Sequence, residues 1–194
     1  MWTAHARFIL GCATAELGDT QSGLAMMDAA DALWASTGSI LTRSFYLAQR
    51  ASISSRMGHH DRAQALIEEA VGIVTRHGER YFEPEVLRLQ GELLLAASSQ
   101  TGAQPTPAIC ASARVFFLQA IRTAQAHQLK ALELRARTSL VALDLASAQF
   151  NDELPADAVQ LQALLAELLE EPRTQDMLAA RQTLIRATQR LTQI

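Results

Sequence analysis

The chain repeats itself at an interval of about forty residues, and that interval limits the folds open to it. Gly18 falls on Gly58 and Gly38 on Gly78. Between them, Met26, Met27, Ala30, Leu33 and Trp34 fall on Leu66, Ile67, Ala70, Ile73 and Val74. Counted from Gly23 or Ala63, the apolar positions stand at offsets 3, 4, 7, 10 and 11. This is one stripe along a helix of 3.6 residues per turn, whereas a strand would alternate at every second position. A third copy is displaced by ten further positions, with Ala113, Phe116, Phe117, Ala120, Thr123 and Ala124 on the same offsets. The extra length lies in Ser98 to Pro107, a polar stretch with two prolines and a glycine that reads as a lengthened loop.

The segments before these stripes repeat as well. Leu10-Gly11, Arg50-Ala51 and Gln90-Gly91 are in register, each ending in a small residue where a neighbouring helix can come close. Leu17, Met57 and Ala97 close these three helices. Each unit is therefore a helix A, a short turn, a helix B and a turn to the next helix A. Gly18-Asp19 and Gly58 to Asp61 mark the A to B turns, where glycine permits a left-handed cap and Asp61 is placed to cap the next helix. Pro84, Pro105, Pro107, Pro155 and Pro172 all fall in loops or first turns.

A fourth unit is degenerate. Ala131 to Ala148 reads as helix A, Asn151 to Pro155 as the turn, and Ala156 to Glu170 as helix B with Val159, Leu161, Leu164, Leu165 and Leu168 inward. Thr174 to Gln193 reads as a last helix, inward at Leu178, Leu184, Ile185 and Leu191 and polar at Arg181, Arg186 and Arg190. A stacked array needs such a capping helix at an end. Nine helices are expected, in units at 1–38, 39–78, 79–128 and 129–171 with a capping helix at 174–193, all in one domain over 1–194. Composition agrees, since 63 of 194 residues are Ala or Leu and only 5% are aromatic.

The small, bulky, small pattern of helix B resembles the tetratricopeptide repeat. Ala63-Ile67-Ala70 and Ala113-Phe117-Ala120 fit it, and Gly23-Met27-Ala30 fits more loosely. The helix A tryptophan and tyrosine of that motif are missing, and the unit runs to about forty residues where the motif has about 34. The resemblance implies an all-α fold, a right-handed superhelical array of antiparallel helix hairpins: about four hairpins plus the capping helix. Gly78 to Ala96 (GERYFEPEVLRLQGELLLA), Leu132 to Leu145 (LELRARTSLVALDL) and Thr174 to Leu184 (TQDMLAARQTL) resemble the C-terminal helical repeats of large bacterial regulators. Those proteins carry a nucleotidyl cyclase or DNA-binding domain and a STAND-type ATPase ahead of the repeats. The chain has no phosphate loop ending in Lys-Ser or Lys-Thr and no G-x-G-x-x-G. The resemblance thus implies a non-catalytic, partner-sensing role in signal transduction or transcriptional regulation.

Several function classes are disfavoured by residue content. The net charge is -3, and Lys130 is the one lysine among 17 basic residues, so a nucleic-acid partner is not expected. No apolar run reaches the length of a membrane span and no leader pattern is read, which favours a cytoplasmic chain without a membrane partner. Cys12 and Cys110 lack metal-ligand spacing and read as small buried residues. His59, His60 and Asp61 read as a turn with a helix cap rather than a metal site, and His5, His77 and His127 are scattered. Glu68-Glu69 and Glu170-Glu171 read as solvated faces rather than catalytic pairs. No cofactor is expected.

In stacked hairpins the A helices line a concave groove. Its expected positions are His5, Phe8, Cys12 and Ala15 in the first unit, then Phe45, Ala48, Ser52 and Ser55 in the second. Glu85, Arg88, Glu92 and Leu95 follow in the third, grading the groove from apolar to charged. The lysine and asparagine clamp by which chaperone-binding repeats hold a C-terminal carboxylate has no counterpart at these positions. The expected function is a protein or peptide interaction module. A homodimer through the N-terminal hairpin, with Trp2, Phe8 and Ile9 at its end, and a small-ligand sensor are the alternatives.

Overall fold

The computed structural model describes residues 2–98, 104–168 and 174–192. Among them it is all-α, with nine helices and no strand. The order is α1 (Trp2–Glu16), α2 (Thr20–Ala35), α3 (Arg43–Arg56), α4 (His60–His77), α5 (Glu83–Ser98), α6 (Pro107–Ala126), α7 (Lys130–Ala146), α8 (Leu154–Glu167) and α9 (Gln175–Leu191). One 3-10 turn, Ala148–Phe150, separates α7 from α8. The chain gathers into two compact units, Met1–Leu89 and Gln90–Ile194, so that α5 begins in the first and ends in the second.

The repeat interval reappears in the backbone. The residue that ends each helix B and turns to the next helix A is left-handed at Gly38 (φ 69°), Gly78 (φ 64°) and Gln128 (φ 56°). The A to B turns place Gly18 (φ 109°) and Gly58 (φ 79°) in the same half of conformational space, which side chains rarely enter. Asp19 caps α2 by accepting from the backbone N of Ser22 at 3.0 Å, and those hydrogen bonds hold its carboxyl below the ordinary value. The expected cap at Asp61 is corrected: His59 holds the cap position of α4 without a side-chain bond, and Asp61 lies in the first turn, where its charge faces the helix dipole. Pro84, Pro107 and Pro155 stand in the first turns of α5, α6 and α8, and Pro105 stands in a loop. Pro172 and the interior of the Ser98 to Pro107 loop lie outside the described residues.

In the first unit α1 folds back antiparallel on α2. Gly11 sits against the Gly23 carbonyl and Met27, while Gly23 sits against Ala15. A Cβ built on Gly11 would meet the Gly23 oxygen at 2.8 Å, and one on Gly23 would meet the Gly11 oxygen at 2.6 Å. The small residues read from sequence therefore mark the closest helix approach. α3 then packs on α2 and α4 on α3. The core between them holds Phe8, Met27, Ala30, Trp34, Tyr46 and Ile53. Tyr46 is its hub, stacked on Phe8 at 3.9 Å, edge-on to Trp34 at 5.3 Å, and hydrogen-bonded to Nδ1 of His5 at 2.5 Å. An ion network closes the hairpin seam: Arg50 of α3 reaches Asp28 at 2.8 Å and Asp31 at 2.6 Å, and Arg62 of α4 reaches Asp28.

In the second unit the end of α5 lies on α6, where a Cβ on Gly91 would meet the Phe117 ring at 2.6 Å. α7 packs on α6, α8 and α9, around Leu134, Val141, Leu154, Leu161, Leu165 and Met177. The helix B stripe is buried at the same offsets in all three copies, at Gly23, Ala63 and Ala113, at Met27, Ile67 and Phe117, and at Ala30, Ala70 and Ala120. The fourth unit departs from expectation. Val159 is exposed, as are Leu178 and Ile185. α8 buries Leu161, Leu164 and Leu165 as expected, with Leu154 and Ala158 in addition, and α9 buries Met177, Ala180, Thr183 and Ala187, with the expected Leu184 and Leu191 partly buried against the same core. The stripe on α9 is rotated because small residues, not the larger aliphatics, seat it close against α7.

Candidate docking surfaces

The expected groove positions divide into two sets. Phe8, Ala15 and Ala48 are buried, so they form core and offer no groove surface. A helix A is covered on one side by its own helix B and on another by the next helix A, and this widens its buried arc beyond the single stripe. Glu85 is also buried, although charged. Its carboxylate accepts from Arg88 Nη2 at 2.8 Å and Nε at 2.9 Å, and from Gln49 at 3.4 Å. That geometry satisfies a buried anion and spends its lone pairs within the fold.

His5, Cys12, Phe45, Ser52, Ser55 and Arg88 remain half-buried in the first unit, as do Glu92 and Leu95 in the second. Phe45 stacks on Phe82 with centroids 4.8 Å apart. The Cys12 thiol is pushed up to about 11 by burial and by nearby Glu16, so it stays protonated at neutral pH and is a poor nucleophile. Glu92 accepts from Ser139 of α7 at 2.8 Å. With Leu95 it lines a cavity of about 640 Å³ in the second unit, closed further by Pro105, Cys110, Phe117 and Leu143.

Among the described residues a run of exposed apolar side chains lies elsewhere, on α1 and the turn after it. The buried side of α1 is Ala4, Phe8, Gly11 and Ala15. The opposite side carries Trp2, Ala6, Ile9, Leu10, Ala13 and Leu17, all of them exposed and none of them polar. Trp2 is 78% and Leu17 90% accessible. The outward side of α4 contrasts sharply, with Asp61, Gln64, Glu68 and Glu69. α1 thus carries an exposed apolar stripe, flanked by Thr3, Arg7 and Glu16, of the kind that commonly forms interaction faces. Trp2 and Ile9 are legible in the sequence as an apolar end. Leu10 and Leu17 are not, because their register with Arg50 and Met57 marks them as internal positions.

A second apolar surface opens between α8 and α9 in the second unit, a cavity of about 620 Å³ lined by Pro155, Val159, Leu184, Ile185 and Leu191 with Arg181 at its edge. The second unit also holds a carboxyl pair that sequence reasoning misses. Asp144 of α7 is fully enclosed, and Arg114 of α6 bridges it, at 3.3 Å, to Asp157 of α8. The guanidinium lies 5.1 Å from the centre of the Phe150 ring. Burial, the Asp157 hydrogen bond and the charges of Asp157 and Glu153 push Asp144 up to about 8, against the pull of Arg114. No spacing rule finds this pair, because its two carboxyls sit on α7 and α8 and the arginine between them on α6.

The remaining candidates stay apart. His59 and Asp61 are exposed, and His77 and His127 are exposed at helix ends. Glu69 pairs with Arg43 at 3.1 Å and Glu68 accepts from Gln64 at 2.7 Å. Glu170-Glu171 lie outside the described residues. Among the described residues no group of three or more His, Cys, Asp or Glu is placed to hold a metal ion, and no helix is long and apolar enough to cross a membrane. No protein-family model matches the chain, and no curated protein matches it.

Proposed function

We propose that the chain is a non-catalytic protein-interaction module of the tetratricopeptide-like kind, its hairpins stacked in a right-handed array, and that the outward face of α1 is its docking surface. The observation that carries the reading is the unbroken apolar exposure from Trp2 to Leu17 on a helix whose other side is fully buried. A partner helix laid along that face would gain affinity from apolar burial and register from the close approach allowed at Ala6 and Ala13. The resemblance of three segments to the C-terminal repeats of cyclase and STAND-type regulators supports a cytoplasmic role in bacterial signal transduction or transcriptional regulation.

The test uses a displayed library of amphipathic helices selected on the full chain. Enriched peptides are expected to bind the wild type and to lose binding to Leu10→Glu, with helicity unchanged because Leu10 is exposed. Peptides that bind the variant equally well, or no enrichment at all, refute α1 as the docking surface. A second reading, a small-ligand sensor, is favoured by the cavity that holds Glu92 and Leu95, whose volume lies in the range of ligand sites. Filling it with Ala142→Trp would abolish any ligand-induced rise in melting temperature under this reading.

A further inference from the structure

The apolar face of α1 has an internal symmetry that points to its occupant. Its exposed positions are 2, 6, 9, 10, 13 and 17. Turned end for end about a point between Ile9 and Leu10, the set maps onto itself: Trp2 onto Leu17, Ala6 onto Ala13, and Ile9 onto Leu10. An antiparallel copy of the same helix therefore places a large residue against a large one at both ends, a small pair against a small pair inside them, and two branched aliphatics at the centre. Self-complementarity of this kind is what a two-fold interface requires, since each surface must fit itself reversed. The residues flanking the face are Thr3, Arg7 and Glu16, and the Glu16 carboxylate is already paired with Arg56 at 2.8 Å, so the charge at the rim of the pairing carries its own partner.

The area is sufficient. With large side chains exposing on the order of 100–200 Å² each, the face offers roughly 600 Å² per copy, or about 1,200 Å² for the pair, which reaches the lower bound of stable interfaces.

We infer that the partner of α1 is a second copy of this chain, joined as a two-fold dimer through antiparallel α1 helices centred on Ile9 and Leu10. The inference rests on the reading of α1 as a docking surface and names what docks there.

Sedimentation velocity over a concentration series tests it, with the full chain. The wild type is expected to pass from monomer to dimer and no further. Leu10→Glu, which places one carboxylate from each copy beside the two-fold axis, is expected to raise the dissociation constant at least about 100-fold with the circular dichroism spectrum unchanged. Cysteine cross-linking in a Cys12→Ala background reads the orientation. A mixture of Trp2→Cys and Leu17→Cys chains should form the mixed disulfide, while either chain alone should not. A wild type still monomeric at about 0.5 mM, a dimer indifferent to Leu10→Glu, growth beyond the dimer, or a Trp2→Cys chain that cross-links to itself overturns the inference. Displayed helices that still bind α1 of a monomeric wild type would leave the docking surface standing and remove only the self-pairing; loss of both removes both.

Discussion

Replacing Gly23 with alanine tests whether the first hairpin is held at glycine distance. Two terms oppose each other. Alanine is favoured over glycine inside a helix by about 1 kcal/mol. Against this, a Cβ at Gly23 meets the Gly11 oxygen at 2.6 Å, and the Ala15 Cβ and backbone N at 2.7 Å. All three belong to a packed helix, and none is the free end of a flexible side chain. The clash can be relieved only by moving α1 away from α2, which loosens Phe8, Met27 and Trp34 together. Overpacking of this kind costs about 1–3 kcal/mol, and more where backbone must shift, so a net loss of about 2 kcal/mol is expected. Gly72 supplies the control. It lies in the interior of α4, and its Cβ would meet only the Arg76 guanidinium at 3.2 Å, which can swing aside. Gly72→Ala should gain about 0.5–1 kcal/mol. Urea unfolding followed by tryptophan fluorescence reads the right place, because both tryptophans, Trp2 and Trp34, are on this hairpin. With a urea dependence of about 2 kcal/mol per M, the midpoint should fall by about 1 M for Gly23→Ala and rise by about 0.3–0.5 M for Gly72→Ala. A Gly23→Ala midpoint equal to or above the wild type would show that the helices are not in that contact, and the close-packed hairpin would be wrong.

The enclosed Asp144 makes stability fall with rising pH. Its folded-state value near 8 lies above the unfolded value near 3.8, so between these the folded chain holds a proton that the unfolded chain has lost. The stabilisation is complete below about pH 4 and is lost as pH rises through about 8, with a slope of at most about 1.4 kcal/mol per pH unit. Thermal melts at pH 5 and pH 8.5 should diverge for the wild type and converge for Asp144→Asn; equal slopes in the two proteins would exclude Asp144 and its Asp157 partner as the source. Gln128 occupies the left-handed turn position that glycine holds at Gly38 and Gly78, and Gln128→Gly should stabilise the second unit by about 0.5–1 kcal/mol in urea titration, with a loss showing that the turn is not strained.

The hairpins are legible in the sequence because burial on helix B is periodic and local. Gly23, Met27, Ala30 and Trp34 need only the 3.6-residue rule, and the left-handed turns at Gly38 and Gly78 need only glycine. The outward face of α1 is less legible because a helix A is covered on two sides. One period of apolar residues does not say which member faces helix B, which faces the next helix A and which faces out. Periodicity alone therefore sets Phe8 in the groove when it belongs under Tyr46, and a Phe8→Glu substitution would unfold the first unit rather than probe a partner. On α9 the reason differs. Its large aliphatics Leu178 and Ile185 mark a stripe, yet the close seat against α7 is taken by Ala180, Thr183 and Ala187.

The position shared by Leu10 and Arg50 shows how the repeated helix A changes its chemistry from one unit to the next. Both occupy the same place in their helix A, one repeat apart. In α3 this place faces the first hairpin, and Arg50, whose side chain is only 12% accessible, is held there by Asp28 and Asp31. Tyr46, Ile53 and Met57 join it in that contact, and one repeat earlier their places are held by Ala6, Ala13 and Leu17. Four positions of the outward face of α1, Ala6, Leu10, Ala13 and Leu17, are thus counterparts of positions that pack on the preceding hairpin one repeat later. The two faces differ in size at Ala6 and Ala13, where α3 has Tyr46 and Ile53, and in charge at Leu10, where α3 has Arg50. Arg50 demands carboxylates opposite it, and a partner presenting none would leave a desolvated cation. Leu10 demands nothing charged, and accepts an apolar surface that matches its neighbours in size. Repetition builds the hairpins, and departures from it at Ala6, Leu10 and Ala13 leave α1 an apolar face where α3 carries a charged one.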